Sequence, residues 1–79
     1  MKYQIEMEPL AGRYVVALKD SQTGDLVKVF TVNASAAEMI QLYRDGLHIE
    51  DIARVISEKY GIPFSVVRND AEALLKKLD

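Results

Sequence analysis

The stretch LVKVFTVNASAAEMIQLYRDG, residues 26–46, changes its period once, and that change sets the fold. Residues 26–32 alternate like a strand, with Val27, Val29 and Thr31 on one face and Leu26, Lys28, Phe30 and Val32 on the other. At Asn33 the alternation stops. Asparagine is a strong helix N-cap, because its side-chain oxygen accepts from a free N–H of the first turn. Ala34 to Arg44 then reads as a helix, with Ala36, Met39, Ile40 and Tyr43 on one side. Asp45-Gly46 ends it, since glycine takes the left-handed conformation without penalty. A strand therefore runs straight into a helix.

Upstream, Lys2 to Met7 alternates, with Tyr3, Ile5 and Met7 on one face, and Pro9 is expected to end this first strand. Leu10-Ala11-Gly12 reads as a turn. Arg13 to Lys19 (RYVVALK) is β-branched and aromatic, which suits a second strand. Asp20 to Asp25 (DSQTGD) is a polar hairpin loop. Short connections favour an antiparallel meander, so the third strand should be an edge with backbone groups to offer. Whether the Val29 N–H faces outward or toward the second strand stays open at this level.

Downstream, Ile49 to Tyr60 has helical spacing, with Ile49, Ile52, Ala53, Ile56 and Tyr60 on one side and Gly61 as the stop. Glu50 and Asp51 sit where the helix dipole favours negative charge. Ile62-Pro63-Phe64 reads as an extended connector. Ser65 is the expected N-cap of a third helix over about Val66 to Leu78, whose buried stripe is Val67, Ala71, Leu74, Leu75 and Leu78. The expectation is one α+β domain over residues 1–79, β-β-β-α-α-α. It is a three-stranded antiparallel sheet followed by three helices, with the outline of a winged helix-turn-helix.

Composition narrows the function. The 79 residues suit one small core, and 49% hydrophobic content argues against disorder. No apolar run approaches the roughly 18 residues of a membrane span. No signal peptide is visible, so a cytoplasmic setting is the default. There is no cysteine, which excludes disulfides and thiolate metal sites. Net charge is −2, and residues 34–79 carry six basic against eight acidic side chains. A winged-helix DNA-binding regulator is the alternative the outline suggests. The third helix begins SVVRNDAEALLKK, however, and Asp70 and Glu72 beside Arg68 and Asn69 would repel phosphate. Enzymatic chemistry finds no support in a lone histidine, His48, expected to be exposed near a helix start, or in the acidic pairs at helix starts and on solvated faces. No cofactor and no metal are expected.

A binding module fits better, and here a resemblance enters. Ala11-Gly12-Arg13-Tyr14-Val15-Val16-Ala17 resembles the small-Gly-x-Tyr-hydrophobic second strand of the PqqD family, named for a pyrroloquinoline quinone biosynthesis protein. Phe30 to Ile40 is similar to that family's strand followed by a Leu-Asn-x-x-Ala helix start, with Val32 standing where leucine is usual. Asp45-Gly46, Ile49-Glu50-Asp51-Ile52 and Tyr60-Gly61 match the middle helix and its ends, with His48 in place of the usual Thr or Ser. Val67, Asp70, Ala73-Leu74-Leu75 and Leu78 match the last helix. The likeness spans roughly residues 3–78.

The resemblance implies a non-catalytic adaptor. Such proteins capture the leader segment of a ribosomally made precursor peptide as an added strand and hand it to a separate modifying enzyme, often a radical S-adenosylmethionine enzyme. On this reading Val27, Lys28, Val29, Phe30 and Thr31 form the receiving edge. Val67, Arg68, Asn69 and Glu72 form the helix side of the groove, with Arg68 paired to an acidic leader residue. The same open edge would equally serve a homodimer, so a monomer and an edge-strand dimer are both expected states. Neither nucleic acid nor membrane is an expected partner.

Overall fold

A computed structural model describes residues 2–78. Three strands, β1 (Tyr3–Leu10), β2 (Arg13–Asp20) and β3 (Leu26–Val32), precede three helices, α1 (Ala34–Arg44), α2 (Ile49–Tyr60) and α3 (Phe64–Lys77). The sheet order is β1-β2-β3, antiparallel throughout, so β1 and β3 are its two edges. This is the expected α+β architecture. Ile5, Val16, Leu18 and Val32 form the inner face of the sheet. Against it pack Ala37, Met39 and Ile40 of α1, Ile52, Ala53 and Ile56 of α2, and Val67, Ala71, Leu74 and Leu75 of α3, with Leu78 just beyond. Full burial of one such Val, Leu or Ile contributes about 1.5–3 kcal/mol, so this single interface holds the domain together.

The two hairpins are built differently. β1 turns into β2 through Ala11 and Gly12 alone, both left-handed, at φ 51° and 80°. A type I′ hairpin loop, whose twist matches that of the strands, needs that conformation at both positions. The second hairpin is held by Asp20, whose Oδ1 accepts from the N–H of Gln22 at 2.8 Å and of Thr23 at 3.0 Å. Those two donors hold the Asp20 carboxyl below the usual carboxylate range.

The helix ends agree with expectation at α1 and α2 and depart from it at α3. The Asn33 Oδ1 accepts from the Ala36 N–H at 2.9 Å and starts α1. His48 is exposed at the N-cap of α2, with no side-chain cap bond, and Gly61 at φ 67° closes the helix. At α3 the N-cap is Pro63 rather than Ser65, and Ser65 lies inside the first turn. The Pro63 carbonyl accepts from the N–H of Val66 at 3.1 Å and of Val67 at 3.2 Å, so helical bonding begins two residues earlier than a serine cap would allow. β1 is also longer than expected. It runs through Pro9 to Leu10 instead of ending before the proline.

Candidate functional site: the free edge of β3

Which backbone groups β3 offers to solvent follows from parity. In an antiparallel strand each residue points its N–H and C=O to one side, and consecutive residues alternate. The Asp20 N–H donates to the Asp25 carbonyl at 2.8 Å, so Asp20 faces the β3 side. Leu18, Val16 and Tyr14 share its parity and face β3 as well. Their register partners, Lys28, Phe30 and Val32, are therefore turned inward to the ladder. Val29 and Thr31 take the opposite parity, and their N–H and C=O groups point to the free edge.

Two further observations agree. The two-residue turn between Leu10 and Arg13 makes that pair the closing hydrogen-bonded pair of its hairpin, which commits the odd-numbered residues of β2 to β1. By the same parity the backbone of Pro9, partner of Tyr14, is turned outward on β1. A proline there costs no ladder bond, which is why β1 continues through it.

The edge is shaped at one end by a bulge. Leu18 pairs with Lys28 and Lys19 with Leu26, which leaves Val27 as an extra residue. Side chains on the outer face of β3 are open to solvent, with Val29 53% exposed and Val27 50%. On the inner face Phe30 is half-buried and Lys28 exposed. The Nζ of Lys77 lies 5.5 Å from the centroid of the Phe30 ring, within cation–π range. This contact joins the last turn of α3 to the middle of β3 and sets the flank of α3 that borders the edge.

At 3.6 residues per turn, Lys77 shares that flank with Ala73, Asp70 and Val66. All four are exposed. Asn69 is exposed at the margin of this flank. Arg68, nine positions before Lys77, is about two and a half turns away and so lies on the far side of the helix. There its Nε donates to the Glu50 carboxylate at 2.7 Å and its Nη1 to Glu72 at 2.9 Å. The two carboxylates raise the Arg68 pKa above its ordinary value, Glu50 more than Glu72. Arg68 thus ties α3 to the first turn of α2 through Glu50, Glu72 pairs with it from the same helix, and both are turned away from the β3 flank. Val67 is 1% exposed and belongs to the core beneath the helix rather than to its surface.

Sequence reasoning passed over Lys77, Ala73, Asp70 and Val66 as a group. Their i, i+4, i+7, i+11 spacing was available as a signal, but only the Phe30–Lys77 contact says which polar flank of α3 meets the sheet.

A concavity lies on the same helix-covered face of the sheet, between α1 and the β1 side. It is a cleft of about 290 Å³ lined by Met7, Tyr14, Ala34, Ala37, Glu38 and Gln41. Glu38 is held there by the Lys59 Nζ at 2.8 Å and the Tyr60 hydroxyl at 2.7 Å. Hydrogen bonds from Lys59 first, then Tyr60, hold its carboxyl below the usual range. Among the described residues no group of three or more His, Asp or Glu side chains is arranged to hold a metal ion. No helix among them is long and apolar enough to cross a membrane.

Comparison with known proteins bears on this geometry. The family model described as coenzyme PQQ synthesis protein D (PqqD) matches residues 11–79. No curated protein gives a significant match to the sequence. Two solved structures share the fold. TbiB1 in complex with the TbiA(beta) leader peptide is 22% identical, with a TM-score of 0.67 over 99% of this chain and 87% of that one. A lasso peptide synthetase B1 complexed with the leader peptide is 21% identical, with a TM-score of 0.69 over 99% of this chain and 91% of that one.

Proposed function

This chain belongs to the PqqD family, and from that premise we propose that it is a peptide-binding adaptor that captures the leader segment of a ribosomally made precursor by strand addition. It presents the leader to a separate modifying enzyme, such as a radical S-adenosylmethionine enzyme, and contributes no catalysis and no cofactor of its own. The observation that carries this reading is the outward backbone of Val29 and Thr31 beside an exposed flank of α3. Together they offer two N–H donors and two C=O acceptors to an incoming strand. Val27, Lys28, Val29, Phe30 and Thr31 receive the peptide. Val66, Asp70, Ala73 and Lys77 wall the groove, Asn69 lies at its rim, and Val67 supports it from below. The leader-bound state of the two structural neighbours supports the same reading.

The energetics suit a transient carrier. Four backbone bonds at about 1 kcal/mol each, with a few apolar contacts, offset the several kcal/mol needed to order a flexible leader. A nucleic-acid role is disfavoured by charge. Arg68, the best phosphate ligand on α3, is already neutralised by two glutamates, and the chain carries a net −2.

The test is an amide chemical-shift titration with the leader of a precursor encoded beside this protein. Shifts concentrated at Val27–Thr31 and along Val66–Lys77 are the expected result. No shifts with the leader, together with shifts on α3 when duplex DNA is added, would replace this function with that of a regulator.

A further inference from the structure

The groove has a charge sign of its own, opposite to that of the whole chain. Lys19, Arg54, Lys59, Arg68 and Lys76 each have a carboxylate within 4 Å, contributed by Glu6, Asp51, Glu38, Glu50 with Glu72, and Glu72 respectively. Among the described residues Lys2, Arg13, Lys28, Arg44 and Lys77 have no such partner. Of these, Lys28 stands on β3 itself and Lys77 lies against the Phe30 ring. Both flank the same short piece of β3. Lys28 and Phe30 share the inner face at a separation of about 7 Å, two strand rises. Among the described residues Asp70 is the acidic group on the facing flank of α3. It is seven residues from Lys77, about 10 Å along the helix and about one Debye length at physiological salt, so it cancels little of the Lys77 charge.

The parity of β3 says what meets these groups. Because Lys28 and Phe30 turn their backbones inward, a strand added at the edge bonds to Val29 and Thr31. It then faces Lys28 and Phe30 across non-hydrogen-bonded pairs, where opposed side chains approach most closely. The sheet is antiparallel throughout, and antiparallel pairing is the more stable per residue. In an antiparallel peptide, the residue opposite Phe30 precedes by two the residue opposite Lys28. We infer that this groove selects peptides with an apolar side chain followed two positions later by an acidic one. The apolar group packs on the Phe30 ring and the stem of Lys77, and the carboxylate is paired by Lys28 with Lys77 close by. This makes Lys28 and Lys77 the specificity-determining residues of the site, and it rests on the strand-capture reading given above.

The experiment pans a phage-displayed library of random 12-residue peptides against the full chain. Enriched sequences are then synthesised and titrated, with the amide spectrum recording both folding and the place of binding. Expected are peptides that shift Val29 and Thr31 and share the apolar-x-acidic spacing. Exchange of their acidic residue for lysine should weaken binding about fivefold, the upper range for an exposed ion pair. Lys28→Gln with Lys77→Gln should erase that preference, and Lys28→Glu with Lys77→Glu should reverse it. Peptides that shift Val29 and Thr31 without an acidic preference, or whose preference survives both lysine changes, overturn the charge rule and leave strand capture intact. A library from which no peptide perturbs Val29 and Thr31 overturns both.

Discussion

The two edges of the sheet present the same kind of backbone and very different chemistry. On β1 the outer face carries Gln4, Glu6 and Glu8, with an exposed Leu10 only at its end, and the strand runs through Pro9 with its missing N–H at an outward position. Charge and proline are the means by which natural sheets discourage unwanted pairing. On β3 the outer face carries half-exposed valines, and the outward positions at Val29 and Thr31 keep every donor. One edge is blunted and the other is left open. An edge that costs aggregation risk is left open where a strand is meant to arrive, so the contrast is itself an argument about function.

The sharpest way to break the contrast is with proline on β3. Val29→Pro removes an outward N–H and prevents close approach of an added strand, without breaking a bond to β2. The protein should fold, and leader affinity should fall about tenfold or more, the equivalent of about 1.4 kcal/mol. Phe30→Pro, one residue along, removes an inward N–H and should lower the melting temperature as well. Thermal unfolding and a binding titration on the two variants separate the roles. Equal melting temperatures, or retained binding by a folded Val29→Pro, would refute the parity assigned to β3.

The next effect is smaller and tests the two flanks of α3. Lys77→Ala should weaken an acidic leader about two- to fivefold, as expected for one exposed contact. Arg68→Ala should leave leader affinity unchanged within about twofold and act on stability alone, because its partners are Glu50 of α2 and Glu72 on the far side of α3. Isothermal titration of both variants ranks the flanks, and a larger loss at Arg68 would return the groove to the far side of the helix.

The blunted edge can be opened in turn. Glu8→Thr combined with Pro9→Val restores a donor and removes a charge from β1. The change should raise the weight-average mass in sedimentation with increasing concentration, above whatever self-pairing β3 allows. Placed on a Val29→Pro background, the same change isolates association through β1. If mass stays constant there, Pro9 and Glu8 are not what protects that edge.

Much of this arrangement was legible in the sequence. Period two gave way to period 3.6 at Asn33, and the buried stripe of α3 was readable at all five positions, Val67, Ala71, Leu74, Leu75 and Leu78. What escaped was context. Ser65 has the chemistry of a cap, yet the Pro63 carbonyl starts the helix first. Pro9 is a strand breaker unless its nitrogen faces solvent, and that depends on the hairpin's parity. Arg68 has the chemistry of a ligand contact, but long charged side chains find partners through tertiary packing, and Glu50 is eighteen residues away. Parity escaped for the same reason. The turn is two residues, Ala11-Gly12, rather than the expected Leu10-Ala11-Gly12, which commits the even-numbered residues of β2 to β3. Val29 faces out only because the register past the bulge at Val27 sets it opposite Ala17.

The smallest effect concerns the side of the molecule away from the open edge. Glu38 on α1 accepts from Lys59 and Tyr60 at the end of α2, a link that borders the cleft near β1 and not the groove at β3. The carboxyl titrates lower in the folded chain than in the unfolded one, so its contribution is complete above the ordinary glutamate value of about 4.3 and is lost as pH falls through the folded pKa. Lys59 is shifted upward by the same pairing, so its share is lost only as pH rises through its raised folded pKa. Between those limits the link is pH-independent. Glu38→Gln should therefore lower the melting temperature slightly at pH 7, and the difference from the parent should shrink as pH falls below about 4. Leader affinity at pH 7 should not change, because Glu38 shares no residue with the β3 edge. A Glu38→Gln variant that binds leader more weakly while its melting temperature is intact would mean that the β1 and β3 sides of the sheet are coupled, and the contrast between its edges would then be one of degree.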